Sequence, residues 1–424
     1  MSTLMIPVQE RRLSNGLRVV LSPDDQVPIV GVAVYYDVGS RNETPGKSGF
    51  AHLFEHLMFE GSANVGKSEH FKYVSRFGGQ VNGTTSADRT NYYESLPASQ
   101  LALGLWLEAD RMRSLEVNHD NFEHQRETVM EERRQRVDNA VYGEAGVRIG
   151  EISYENWAYA HPVIGYWDDL RDASLDDVQG FHSRYYRPNN AVLAVSGDFE
   201  PDEAMALVED YYGDIEAGAP PPPPDMAEPP RVEEVHEILH DARAELPATM
   251  SNLQAPGFGH PDFYAFEVLE TLLFRGSSSR MYRRVVIDER LAVQVSGGYD
   301  ARRGPSLFSC SAVVAAGRSL DPVVAAWREE IARVTTEPAS PEEWEKAINQ
   351  LRASRVYSLE GVLRRALSVA RSALYTGDPG WENHYLENIA RVTPEDARRV
   401  AERWLSGPMV RLDVLPGDTT GGES

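Results

Sequence analysis

The 424-residue sequence contains one cysteine, Cys310, so no disulfide can form within the chain. Cys310 lies in the apolar run LFSCSAVVAA, which predicts a buried structural thiol. No run of about 18 apolar residues is present, and a membrane-spanning helix is therefore not expected. Positive charge is scarce. Forty-two Lys and Arg stand against 65 Asp and Glu, a formal net charge of −23, and such a field disfavours nucleic acid or anionic lipid as a partner. A basic or neutral ligand suits it better. The first residues, MSTLMIPVQERRLSNG, have neither a basic stretch followed by an apolar one nor an Arg-rich, acid-poor segment, so a cytoplasmic location is expected. Neither a GxxxxGK[ST] phosphate loop nor a GxGxxG after a strand is present, which argues against nucleotide chemistry.

What the chain does have is ordinary globular composition, 42% hydrophobic and 25% charged, in a length that calls for at least two domains. The boundary is marked by EAGAPPPPPDMAEPPRVEE, where Pro220 to Pro224 and then Pro229 and Pro230 preclude helix or central strand. This gives an N-terminal domain 1–218, an extended linker 219–230 and a C-terminal domain 231–424. The two halves end alike. SLDDVQGFHSRYYRPNNAVLAVSGD from Ser174 and TPEDARRVAERWLSGPMVRLDVLPGD from Thr393 each read as an N-cap, an acidic first turn, an amphipathic helix, a Pro-containing turn, an apolar strand and a Gly-Asp stop. A duplicated domain is the simplest explanation. Helices are expected around 48–60, 67–77, 99–113 and 119–137, a hairpin in QVNGTTSADRTNYYESLP, and in the second half helices near 261–275, 277–289, 319–334 and 341–365. Strands and helices mix without regular alternation, so each domain is expected to be α+β, a mainly antiparallel sheet covered by helices.

One short motif carries chemistry. In HLFEH, on a helix over 48–60, His52 and His56 are one turn apart on one face and Glu55 lies beside them. Two imidazoles aimed at one point suit zinc, and a neighbouring carboxylate that does not bind the metal can take a proton from the attacking water and pass it to a leaving amine. That combination hydrolyses peptide bonds, and HxxEH is the inverted order of the HExxH zinc-protease motif. The same pentad also fits an amphipathic helix that merely brackets a glutamate with histidines.

The surroundings decide between these. LSNGLRVVL, VGSRNETPGKSGFAHLFEHLMFEGS, FGGQVNGTTSADRTNYYESLP, HPVIGYWDDL and YYRPNNAVLAVSGDF follow, in order, the pattern of the pitrilysin and mitochondrial processing peptidase family, the inverted zincins, which the first half closely resembles. The resemblance in the second half is weaker and centres on SRMYRRVVIDERLAVQVSGG. It implies a zinc peptidase acting on short or unfolded peptides in a closed chamber, with one zinc held by His52, His56 and a later glutamate matching Glu132, 76 residues after His56. Glu127 and Glu131 lie close by, and Glu131 is the fallback. The resemblance further implies that Glu55 is catalytic, that a substrate strand pairs with the edge near GGQVNGTTS, and that Asn82 contacts its backbone.

Two departures matter. Gln125 stands where many active members have a further glutamate, seven residues before the third ligand, that supports the metal ligands. Val286 and Val293 stand where the family has an Arg and a Tyr that hold substrate, with Arg284, Arg290 and Tyr299 nearby but out of register. The chain is thus expected to be the zinc-bearing half of a heterodimer whose homologous partner supplies the Arg/Tyr pair. A slipped register would instead make it a self-sufficient, homodimeric peptidase. A non-catalytic structural or assembly subunit of the same fold is the alternative from a different class.

Overall fold

The computed structural model describes residues 5–417, which form two compact units. The first comprises the described residues up to Glu132, His161–Asp225 and Arg355–Tyr385; the second comprises Arg133–Ala160, Met226–Ser354 and the described residues from Leu386.

In the first unit, apolar runs and alternating segments form six strands: β1 (Gln9–Arg12), β2 (Arg18–Pro23), β3 (Ile29–Tyr36), β4 (Gln80–Thr85), β5 (Thr90–Pro97) and β6 (Ala191–Gly197). They lie in the order β1-β2-β6-β3-β5-β4, with β2 and β6 parallel and the other pairs antiparallel, so β4 is an edge strand. On one face, Val30, Val32, Val34 and Tyr36 of β3 join the core made with α1 (Phe50–Leu57), α2 (Glu69–Arg76), α3 (Leu101–Ser114) and α4 (His119–Arg133). On the other, Ala33 and Tyr35 pack with Ala366, Val369, Ala370 and Ala373 of the helix Val362–Thr376. Coverage on both faces is why β3 is apolar nearly throughout.

The second unit repeats this plan. Its strands β7 (Val235–Asp241), β8 (Ala248–Ala255), β9 (Ala292–Asp300), β10 (Ser306–Val314) and β11 (Val410–Pro416) lie in the order β7-β11-β8-β10-β9. The parallel pair β7/β11 matches β2/β6, and β8, β10 and β9 match β3, β5 and β4 in position and direction. The fold is therefore α+β, with one sheet topology used twice. The paired N-caps read from sequence are present: Ser174 Oγ accepts from Asp177 N at 3.2 Å and Thr393 Oγ1 from Asp396 N at 3.2 Å.

Three features depart from the sequence expectation. The helix expected over 341–365 is two, Pro341–Glu360 and Val362–Thr376, because Gly361 adopts an extended backbone. The helix expected over 277–289 is a wide turn of π type at Tyr282–Asp288. The proline-rich segment is extended but tethered. Gly218 exchanges backbone hydrogen bonds with the Asn189 side chain at 2.8 and 2.9 Å in the first unit, and Glu228 accepts from the amides of Glu155 and Asn156 at 2.9 and 3.0 Å in the second. Among the described residues no helix is long and apolar enough to cross a membrane.

Candidate metal centre

The centre begins with the way α1 is held. Gly49 precedes it in the left-handed region, φ 87°, and a Cβ there would lie 2.9 Å from the Ile164 carbonyl oxygen. The amides of Gly49 and Ala51 donate to the Glu43 carboxylate at 2.9 and 2.8 Å, which satisfies two unpaired donors and sets a negative charge against the positive end of the helix. Glu43 is buried, and burial raises its pKa, an effect that His161 Nε2 at 3.0 Å and the two amides only partly offset. Ser48 N and Oγ both donate to Asp169 Oδ2, at 2.9 and 2.5 Å, and Tyr166 N donates to Ser48 Oγ at 2.9 Å. The segment HPVIGYWDDL is thus the buttress of α1. The Glu43–His161 pair spans 118 residues, a separation that periodicity does not reveal.

Phe50, Leu53, Phe54 and Leu57 anchor α1 in the core, and burial of each large apolar side chain contributes roughly 1.5–3 kcal/mol. The opposite positions present the polar groups. His52 Nε2 and His56 Nε2 lie 3.6 and 3.2 Å from Glu132 Oε2, at the end of α4, and the two imidazole planes meet at 81°. The three ligand atoms all fall within 4.8 Å of one another. Zinc ligated at about 2.0–2.1 Å by N and O in a tetrahedron separates its ligands by about 3.3 Å, so both the spacing and the donor set of two imidazoles and a carboxylate fit that ion. Val129, one turn before Glu132, is in the core and fixes the rotation of α4, which leaves Glu131 exposed.

Glu55 is half-buried beside β4: a Cβ on Gly83 would come within 3.1 Å of Glu55 Cγ. Its carboxylate accepts no hydrogen bond from the described residues, which leaves it open to water or substrate. Asn82 is exposed on the β4 edge, where its Oδ1 accepts from Gly83 N at 2.9 Å. Gln125 turns elsewhere. Its side chain bonds with Glu60 Oε1 at 2.6 Å and His124 Nδ1 at 3.1 Å, and Glu60 is in turn paired with Lys67 at 2.6 Å.

A second group, His70, Glu94 and Glu108, also brings ligand atoms within 4.8 Å. Arg111 ion-pairs with Glu108 and lies over the Tyr92 ring at 4.3 Å, and His70 Nε2 is 3.1 Å from Glu94 Oε2. This cluster is wholly buried and carries its own cation. Burial raises the Glu94 pKa to about 8 and lowers that of His70 to about 3.

In the second unit, Val286 is half-buried in the Tyr282–Asp288 turn and Val293 is exposed on β9. The neighbouring polar groups are committed locally. Arg284 is paired with Glu289, Glu329 and Glu330, and the buried Tyr299 donates its hydroxyl to the Pro256 carbonyl. Arg290 is exposed at positive φ. His236 and His240 share one face of β7, and His236 pairs with Asp413 at 2.8 Å.

Comparison with known proteins agrees with this architecture. A family profile described as insulinase (peptidase family M16) matches residues 18–149, and one described as the peptidase M16 inactive domain matches 172–351. The chain belongs to the M16 peptidase family. It is 36% identical over 285 residues, 66% of this chain and 64% of the other, to the zinc protease PqqE of Helicobacter pylori. It is 27% identical over 95% of its length, and 92% of the other, to an uncharacterized zinc protease of Mycobacterium leprae. The crystal structure of a protease from Helicobacter pylori superposes with a TM-score of 0.93 at 29% identity, covering 97% of this chain and all of that one. The match described as inactive spans residues that include none of His52, Glu55, His56 and Glu132.

Proposed function

We propose that the chain is a zinc metalloendopeptidase acting on short or unfolded peptides. The observation that carries this reading is the convergence of His52, His56 and Glu132 on one point beside a half-buried Glu55 whose carboxylate accepts no hydrogen bond from the described residues. His52, His56 and Glu132 would hold the zinc, which when bound supplies a Lewis acid that polarises the scissile carbonyl and acidifies water. Glu55 takes the proton of the attacking water and returns it to the departing amine, so the carboxylate ends the cycle as it began. The free edge of β4 binds the peptide by strand addition, with Asn82 exchanging its hydrogen bond to Gly83 for one to substrate backbone. Gln125, through Glu60, would hold α4 rather than polarise a ligand.

The reading extends to a heterodimer: a homologous partner supplies the Arg/Tyr pair that Val286 and Val293 do not, and Arg284 and Tyr299 are already spent on local partners. Homologous domains 1–218 and 231–424, joined by 219–230, and a chamber that admits only unfolded chains belong to the same proposal. So does action in the cytoplasm, where a lone buried thiol stays reduced.

The deciding experiment is hydrolysis of a mixed library of unstructured peptides, with zinc quantified in the same sample and Glu55→Gln as control. Cleavage that the control abolishes supports the peptidase reading. Zinc-free protein with no cleavage would overturn it in favour of a non-catalytic subunit.

A further inference from the structure

The acidic balance of the chain is locally reversed in the first unit, on the sheet face opposite α1. A cavity of about 340 Å³ there is lined by Arg89, Arg355, Arg364 and Arg371, and by no carboxylate. Its floor is the sheet itself, Asn91 and Tyr93 of β5 and Thr84 of β4; its wall is the helix Val362–Thr376 and the end of the preceding helix. Arg355 and Arg371 share the buried carboxylate of Glu382 behind them. Arg89 donates to Thr84 Oγ1 and O at 2.5 and 2.8 Å, lies over the Tyr35 ring and has no carboxylate partner among the described residues. Arg364 is exposed and likewise has none. Four guanidinium groups therefore face one cavity whose lining includes no carboxylate, in a chain whose net charge is −23.

The position of this cavity relative to Glu55 gives it meaning. Successive residues of a strand face opposite sides of the sheet. On β4, Gly83 faces Glu55 and α1, while its neighbour Thr84 faces Arg89 and the arginine cavity. A peptide strand added to the free edge of β4 inherits that alternation. When one of its backbone groups is beside Glu55, a side chain close by in sequence projects towards the arginines.

We propose that the cavity is a specificity subsite for the carboxylate of an Asp or Glu side chain in a peptide laid along β4, near the bond held beside Glu55. The inference rests on the peptidase reading for the identity of that strand. Planar guanidinium groups take a carboxylate with two parallel hydrogen bonds, and the Thr84 and Asn91 side chains complete a polar lining. The substrate class is thus acidic near the cleavage point, opposite to what net charge alone suggests.

The test uses one neutral carrier peptide with a single Glu placed at successive positions, and a Gln counterpart of each. Binding is measured by calorimetry on zinc-loaded Glu55→Gln protein, and hydrolysis by mass spectrometry on the unaltered chain. The best-placed Glu peptide should bind about tenfold or more tightly than its Gln counterpart, an advantage that shrinks with salt and is lost in Arg364→Gln and in Arg89→Gln. The cleaved bond should keep a fixed distance from the Glu. Arg364 is exposed, so its replacement leaves the core untouched, and the Glu-to-Gln change in the peptide leaves the protein unaltered. Equal affinities, or a Glu preference that survives both substitutions, would overturn the subsite. Selective Glu binding with no hydrolysis, even after a homologous chain bearing the Arg/Tyr pair is added, keeps the subsite and retires the peptidase reading; hydrolysis indifferent to Glu does the reverse.

Discussion

Each polar residue at the candidate centre is held by its own element and answers for a separable task, so single substitutions should separate binding from chemistry. Glu55→Gln keeps the shape of the side chain but cannot accept a proton, and is expected to retain zinc while lowering kcat on the order of 10²–10⁴-fold. Metal analysis beside a rate measurement checks both halves. His56→Ala and Glu132→Gln should instead lose zinc, whereas Glu131→Gln, at an exposed position, should not; zinc loss in Glu131→Gln alone would reassign the third ligand. The buried His70–Glu94 pair makes a prediction about stability. Glu94 holds its proton up to about pH 8 in the fold against an ordinary value of 4.5, and His70 stays neutral down to about 3 against 6.5. Between about 4.5 and 6.5 the unfolded chain binds a proton at His70 and the folded chain one at Glu94, so the two effects offset. Between about 6.5 and 8 only the folded state carries the extra proton, and stability falls as pH rises, by up to about 1.4 kcal/mol per pH unit. Denaturant midpoints across that window should slope less in Glu94→Gln, and identical slopes would refute the account.

Among the elements, α1 depends most on its neighbours. Gly49→Ala places a Cβ at φ 87° and 2.9 Å from the Ile164 carbonyl, and should cost about 1–3 kcal/mol of stability, measured by denaturant unfolding, with zinc occupancy falling as the helix start shifts. The motif itself was legible, because a helix with two histidines one turn apart needs only the 3.6-residue period to be recognised. Its buttress was not. Glu43 and His161, or Ser48 and Asp169, are more than 100 residues apart, and nothing local in the sequence ties them together. β4 shows the same division: its hairpin is readable from NGTTSADRT, but its place at the sheet edge follows from the order of all six strands. The break at Gly361 is not legible locally, because 341–365 keeps helical composition on both sides of it.

For the whole molecule, the duplication visible in the two chain endings is carried through to an identical order of five strands. The sequence does not show that each half lends a segment to the other. Residues 133–160 belong to the second unit, where Ala145 packs with Ala248, Leu412 and Val414, and residues 355–385 belong to the first. The Arg355, Arg364 and Arg371 side of the arginine cavity is thus brought to a sheet made entirely from the N-terminal half. The heterodimer reading is tested at this scale. Adding a homologous chain that bears the Arg/Tyr pair should raise peptide turnover at least tenfold over the chain alone, and efficient turnover by the chain alone would remove the need for a partner.

By itself the sequence determined the α+β class, the repeat and the HxxEH spacing of His52, Glu55 and His56, because each is written in local period, spacing or residue identity. Only the tertiary structure decided that Glu132 rather than Glu131 turns towards the histidines, that Gln125 serves Glu60, and that four arginines from two distant stretches face one cavity in an acidic chain. Those outcomes depend on which helix face the core buries and on which segments pair across hundreds of residues, and composition averages both away.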